Sequence, residues 1–356
     1  MFFGSAYYPE HWPRQRWDKD AQLMCEAGFN TVRMGEFSWA KLEPFEGHYD
    51  FSWLDDALQV LYKHGIHAIL GTPTATPPKW LMDKHPEIYM EDMYGHIRGF
   101  GSRRHYCYNS DVYKMYTEKI VTALAKHYAN NSAVEAWQID NEFTCGDGMY
   151  CYCEKCRKAF IEWLKRKYHS LENVNKAWGT VFWSETYTDW NQIITPKLSA
   201  AAMAGNSGHN PAFLLDYSRF ASDSIKDYCS LQSAILRKYT TKPISHNIVS
   251  DLYNYYDIGK ELDVASYDNY PSWCWFEISP SDVGFSLDQT RGIKNKNFWI
   301  VEQQSGPCGW DKLGNTPRPG QIRMWTYQSL AHGAETLLYF RWRACRFGTE
   351  EYWYGI

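Results

Sequence analysis

The sequence predicts an α/β fold of the (β/α)8 barrel type, truncated after its eighth strand. Three observations predict it. Eight short β-rich runs alternate with helical stretches, and each run is apolar within and polar at its C-terminal end. No Gly-rich phosphate loop follows the first run, which separates a barrel from a doubly wound nucleotide-binding sheet. The 356 residues are read as one domain, residues 1–356.

The first strand is read in "FFGSAYYP". After it Trp17, Ala21 and Met24 form a helical stripe that Gly28 closes. "NTVRMGE" is the second strand, and Leu54, Ala57, Leu58 and Leu61 then mark one helix face ending at Gly65. "HAILGTPT" is the third strand. Val121, Leu124, Ala125 and Tyr128 mark the next helix, and "VEAWQIDNE" is the fourth strand. The rhythm is less regular in the second half. A long helical region around 213–238 leads to "PISHNIV", "DVASYDNYP", "NFWIVEQQSG" and "TLLYFRWR", strands five to eight. "EEYWYGI" follows at once, with little room for a closing helix, hence the expected truncation.

Composition narrows the function. The net charge of −4 gives no basic stripe for phosphates, so nucleic acid is not an expected partner. No run of eighteen apolar residues exists, so no membrane span is expected. "MFFGSAYYPEHW" lacks the parts of a signal peptide, and a cytoplasmic location is expected. Aromatic residues make up 17% of the chain, which suits either a dense core or a site that stacks on sugar faces.

Two carboxylates stand out by position. Glu142 ends the fourth strand run and Glu302 the seventh, so a barrel would bring them across one mouth. Two carboxyl groups about 5–5.5 Å apart suit retaining glycoside hydrolysis. One must stay ionised, which asks for Arg or Tyr donors, and the other must hold a proton. The competing reading is that each Glu pairs with an Arg to seal a strand end. Asn141 could donate to a substrate hydroxyl or serve as a turn former. Cys151, Cys153 and Cys156 form C-x-C-x2-C, a metal-ligand spacing whose fourth member spacing alone does not choose; Cys145 is near. Cys25, Cys229, Cys274, Cys308 and Cys345 are dispersed and read as buried thiols.

The motifs "YYPEHWP", "GSRRHYCYNS", "WQIDNE", "CYCEKC", "SYDNYP", "FRWR" and "EEYWYGI" occur in order from one end of the chain to the other. Together they resemble family 42 of the glycoside hydrolases, the β-galactosidases. The resemblance implies a retaining enzyme acting on terminal β-D-galactosides, with Glu142 as acid/base and Glu302 as nucleophile. It implies sugar contacts from Arg103, Asn141, Tyr270, Trp310 and Glu350, with Tyr270 also holding Glu302 ionised. It names Cys107 as the fourth cysteine, so that Cys107, Cys151, Cys153 and Cys156 would hold a structural zinc ion. No organic cofactor is implied. Where many members carry His, this chain has Trp353, which leaves one hydroxyl contact open. The resemblance further implies C-terminal domains absent here and a homotrimer for the full-length parent. Action on α-L-arabinopyranosides, or an inactive carbohydrate-binding barrel, are the alternatives.

Overall fold

Eight strands pair in chain order and the last returns to the first, a closed and wholly parallel barrel. In the computed structural model they are β1 (Phe2–Ala6), β2 (Thr31–Met34), β3 (His67–Gly71), β4 (Val134–Gln138), β5 (Ile244–Ile248), β6 (Val264–Asn269), β7 (Phe298–Gln304) and β8 (Ala334–Phe340). The structure describes residues 1–144, 150–203, 207–249, 252–273, 276–310 and 312–356. All eight β-rich runs are strands, and the helices follow the predicted stripes at Trp17–Glu26, Ser52–Lys63, Asp111–Tyr128 and Pro211–Arg237. Two of these begin where the sequence places a cap. Ser110 accepts from the Tyr113 N–H, and Asn210 accepts from the Ala212 N–H ahead of a helix that opens on Pro211. No described helix is long and apolar enough to cross a membrane.

Strand alternation sorts side chains between two cores. Ile69, Ala136, Val301 and Leu338 fill the barrel, while Ala68, Leu70, Val32 and Met34 pack outward against helices. The same alternation turns Arg33, between Val32 and Met34, into the barrel, fully buried. Gly71 clears the space above it. A Cβ there would lie 2.5 Å from the Glu36 Cβ and 2.8 Å from its Cα.

A bulge then breaks the alternation where the site needs it. Along β7, Trp299 and Val301 face inward, so a regular strand would turn Glu302 outward. The pairing shifts instead: Tyr267 opposes Ile300 while Asp268 opposes Glu302, leaving Val301 as the extra residue. Gln303 consequently points out to Ser329 on the helix Gln321–Ala331, and Glu302 points in to Arg33.

Between β4 and β5 a long excursion carries the helices Glu154–Tyr168 and Leu171–Trp178. They build a second small core on Phe160, Trp178, Phe213 and Phe220, which also takes in Cys107, Cys153 and Cys156.

Candidate active site

Arg33 is the centre of the site. Its Nη2 lies 2.5 Å from Glu302 Oε1 and 3.0 Å from Glu36 Oε1, and its Nη1 donates to Gln138 and Asn141 at 3.3 Å each. Tyr8 donates to Glu36 at 2.8 Å. A buried guanidinium of this kind is tolerable only when its charge is matched, and two carboxylates do that. Burial works against its charge, yet Glu302 and Glu36 hold it firmly protonated.

The stretch Asp140–Glu142 does not close β4, which ends at Gln138. Asp140 and Glu142 instead take left-handed backbone, at φ 51° and 44°, conformations rare outside glycine and typical of functional turns. Asp140 anchors the turn. Its carboxylate accepts from Thr74 at 2.5 Å, from Tyr106 at 3.0 Å and from the Asn141 N–H at 2.7 Å. Asn247, from β5, accepts the Glu142 N–H at 2.9 Å and donates to Asn141 Oδ1 at 2.8 Å. The turn thereby aims Glu142 into the mouth, where Arg103 Nη2 lies 2.7 Å and Asn141 Nδ2 3.1 Å from its Oε2.

Glu302 lies within β7, two residues short of its end, and Tyr270 donates to its Oε2. Glu142, Asp268 and Glu302 each place one carboxylate oxygen within 4.8 Å of the other two. Burial, opposed by Arg33 and reinforced by Glu142, pushes the Glu302 carboxyl up to about 7. Burial also works to raise Glu142, but Arg103, Arg104 and Arg33 outweigh it and hold it below the ordinary carboxylate range. The arginines beside Glu142 thus favour its ionised form, while burial favours the neutral form of Glu302. Both glutamates do pair with arginine, as the strand-sealing reading expected, and a carboxylate oxygen of each also lies within 4.8 Å of the other.

A cavity of about 290 Å³ adjoins them, walled by Phe37, Arg103, Trp310, Arg341 and Glu350 among others. Its size lies near the lower end for ligand pockets. The Arg103 guanidinium lies over the rings of Phe37 and Trp310, at 5.6 and 5.3 Å, and so joins the cavity to the carboxylates. Arg341 fixes Glu350 at 3.0 Å. Trp353 is buried behind the cavity, against Tyr270 and Phe340 at 4.8 Å each.

The structure thus brings Arg103, Asn141, Glu142, Tyr270, Glu302, Trp310 and Glu350 to one mouth. Sequence reasoning missed Arg33, Glu36, Asn247 and Asp268. Only Arg33 left a trace, a lone charge in the apolar run "TVRMG".

Apart from the mouth, Cys107, Cys151, Cys153 and Cys156 converge, with one sulfur from each within 4.8 Å of the rest. Cys107 Sγ lies 3.3 Å from Cys156 Sγ and 3.7 Å from Cys153 Sγ. Cys145 and Cys274 lie outside the described residues. Cys229, Cys308 and Cys345 are buried thiols, whereas Cys25 is exposed, because it falls on the outer side of the stripe formed by Trp17, Ala21 and Met24.

Residues 6–356 match the glycoside hydrolase family 42 description, beta-galactosidase. The chain is 46% identical to a beta-galactosidase of Clostridium cellulovorans, over 100% of this chain and 54% of that protein. It superposes with a TM-score of 0.94 and 41% identity on a beta-galactosidase from the psychrophilic Marinomonas ef1, covering 100% of this chain and 56% of that one. The beta-galactosidase of Halorubrum lacusprofundi gives the same TM-score and identity, with coverages of 100% and 55%. The chain spans about half the length of the curated relatives it matches.

Arg33→Met should cost about 3–5 kcal/mol of unfolding free energy at neutral pH, since Glu36 and Glu302 are left buried without their cation. The loss should be largest above about pH 7 and shrink as pH falls through that value, where the Glu302 carboxyl takes up a proton in the folded protein. Denaturant melts of both proteins at several pH values check this.

Proposed function

The chain belongs to glycoside hydrolase family 42, and from that premise we propose that it is a retaining hydrolase of terminal β-D-galactosides. One observation carries the reading: Glu142 and Glu302 oppose each other with carboxylate oxygens within 4.8 Å. That limit on their nearest oxygens fits the about 5–5.5 Å between the carboxyl groups of a retaining pair better than the about 6.5–9.5 Å of an inverting pair.

Glu302 is the nucleophile. Arg33 and Tyr270 both point donors at it, which stabilises its ionised form as the sugar takes on positive charge. Glu142 is the acid/base. In the resting pocket Arg103 keeps it ionised, so the proton must reach it when substrate binds. Sugar hydroxyls that occupy Arg103 would weaken this ion pair and let the proton move from Glu302 to Glu142. Glu142 then protonates the glycosidic oxygen while Glu302 attacks, and afterwards takes a proton from the water that releases galactose. Asn141, beside Glu142, and Glu350, held by Arg341, are the further hydroxyl contacts. Trp310 gives the sugar a flat apolar wall.

Cys107, Cys151, Cys153 and Cys156 would hold zinc. Four thiolates around zinc at about 2.3 Å place sulfurs about 3.8 Å apart, which the 3.7 Å from Cys107 to Cys153 matches and the 3.3 Å from Cys107 to Cys156 falls short of. A four-thiolate set leaves no open position, so the ion would clamp the loop after β3 to the segment after β4 and supply no step of the reaction.

Three measurements test the reading. Glu302→Ala should lose activity on an aryl β-galactoside roughly ten-thousandfold or more. Added azide should restore turnover as α-galactosyl azide, because azide then attacks the face Glu302 occupied. Glu142→Ala should instead yield β-galactosyl azide, by attack on the galactosyl-enzyme; swapped products would swap the roles. In the unmodified protein kcat/KM should fall as pH rises through about 7, where the pair gives up its last proton. It should fall again below the ordinary carboxylate range, where Glu142 too is protonated. Metal analysis under reducing conditions should find about one zinc per chain, and a chelator should lower Tm. A metal-free protein with an unchanged Tm would remove the zinc proposal.

A further inference from the structure

Asp268 stands beside the two glutamates, and no step above uses it. It lies on β6, 4% exposed, with a carboxylate oxygen in the same 4.8 Å cluster. Its partners set it apart. Glu302 has Arg33 and Tyr270, and Glu142 has Arg103 and Asn141. Among the described residues, Asp268 receives a single hydrogen bond from a neutral group, Asn247 Nδ2 to Oδ2 at 2.7 Å, and its buried Oδ1 has no partner.

The groups facing it come from four neighbouring elements. Glu302 faces it from β7, Glu142 from the turn after β4, Asn247 from β5, and Arg33 from β2. The one cation among these already serves Glu36 and Glu302. A further negative charge at this spacing, supported by one amide, costs more than binding a proton. Burial and then the two glutamates drive its carboxyl in that direction, well above the ordinary range.

We propose that Asp268 is a positioning residue that works as the neutral acid, accepting from Asn247 through Oδ2 and offering an O–H from Oδ1 to the Glu142–Glu302 pair. The proposal rests on the roles given to those glutamates above. Its value follows from the double displacement. Glu142 becomes a carboxylate when it gives up its proton to the leaving group. A neutral donor beside it stabilises that carboxylate without adding a charge to the cluster. Asp268 keeps its own proton throughout, so the proton balance between Glu142, leaving group and water is unchanged. Asn247 couples the parts, because the same side chain holds Asp268, Asn141 and the Glu142 backbone.

Two variants test this in the intact chain. Asp268→Asn keeps a carbonyl acceptor and a weaker donor, without charge at any pH. Asp268→Ala removes both. With an aryl β-galactoside, the Asn variant should lose about threefold to tenfold in kcat, and the Ala variant about a hundredfold. Both pH limbs of kcat/KM should stay in place in the Asn variant. An alkaline limb lowered by about one unit or more would mean that Asp268 carries charge in the working site, and would overturn the proposal. An Asn variant as slow as the Ala variant would overturn it too. Infrared difference spectra between the unmodified protein and the Asn variant at neutral pH give a readout independent of turnover. The band of one protonated carboxyl should vanish; no such loss contradicts the proposal. Should the unmodified protein lack turnover, the glycosidase reading fails while the infrared result still decides the state of Asp268.

Discussion

A single buried cation organises this barrel mouth. Arg33 is turned inward by the alternation of β2 and reaches Glu36, Gln138, Asn141 and Glu302 from one side chain. Its charge cannot be solvated there, so the surrounding residues must supply acceptors. Glu302 is one of them, and its aim into the mouth depends on the bulge that leaves Val301 unmatched in the β6 pairing. Gly71 belongs to the same constraint, because only a residue without Cβ lets the Glu36 backbone lie so close.

Around that cation the carboxyl groups outnumber what it can neutralise. Glu36 and Glu302 use Arg33, Glu142 uses Arg103, and Asp268 has an amide alone. Unequal pairing gives chemically identical groups different duties. Glu302 has two fixed donors, whereas the arginine paired with Glu142 also walls the cavity. Shape and charge are therefore set by the same few contacts.

Much of this was legible in the sequence. The eight strands and their polar C-terminal ends follow from period-two patterning and short apolar runs, which depend on local residues. Glu142 and Glu302 could be picked because a barrel gathers strand ends. Their detailed placement was not legible. Sequence patterning ran β4 on to Glu142, whereas left-handed backbone at Asp140 and Glu142 ends the ladder early. Strict alternation would have turned Glu302 outward, and only pairing with β6 and β8 reveals the extra residue. Asn247 and Asp268 were hidden for another reason. Each sits among other polar residues, in ISHNI and VASYDN, and nothing within the run marks which of them meets the glutamates in space. The cysteines show the intermediate case: the triad Cys151, Cys153 and Cys156 signals itself, while Cys107 is brought to it by the fold alone.

As the proposed nucleophile, Glu302 must form a covalent bond to the sugar. A 2-deoxy-2-fluoro-β-D-galactoside with a good leaving group slows the release step and should trap that bond, so peptide mapping by mass spectrometry tests the claim most directly. One covalent sugar per chain is expected, on the peptide and residue of Glu302. Label on Glu142, Asp268 or any other carboxylate, or turnover with no covalent adduct, would contradict it.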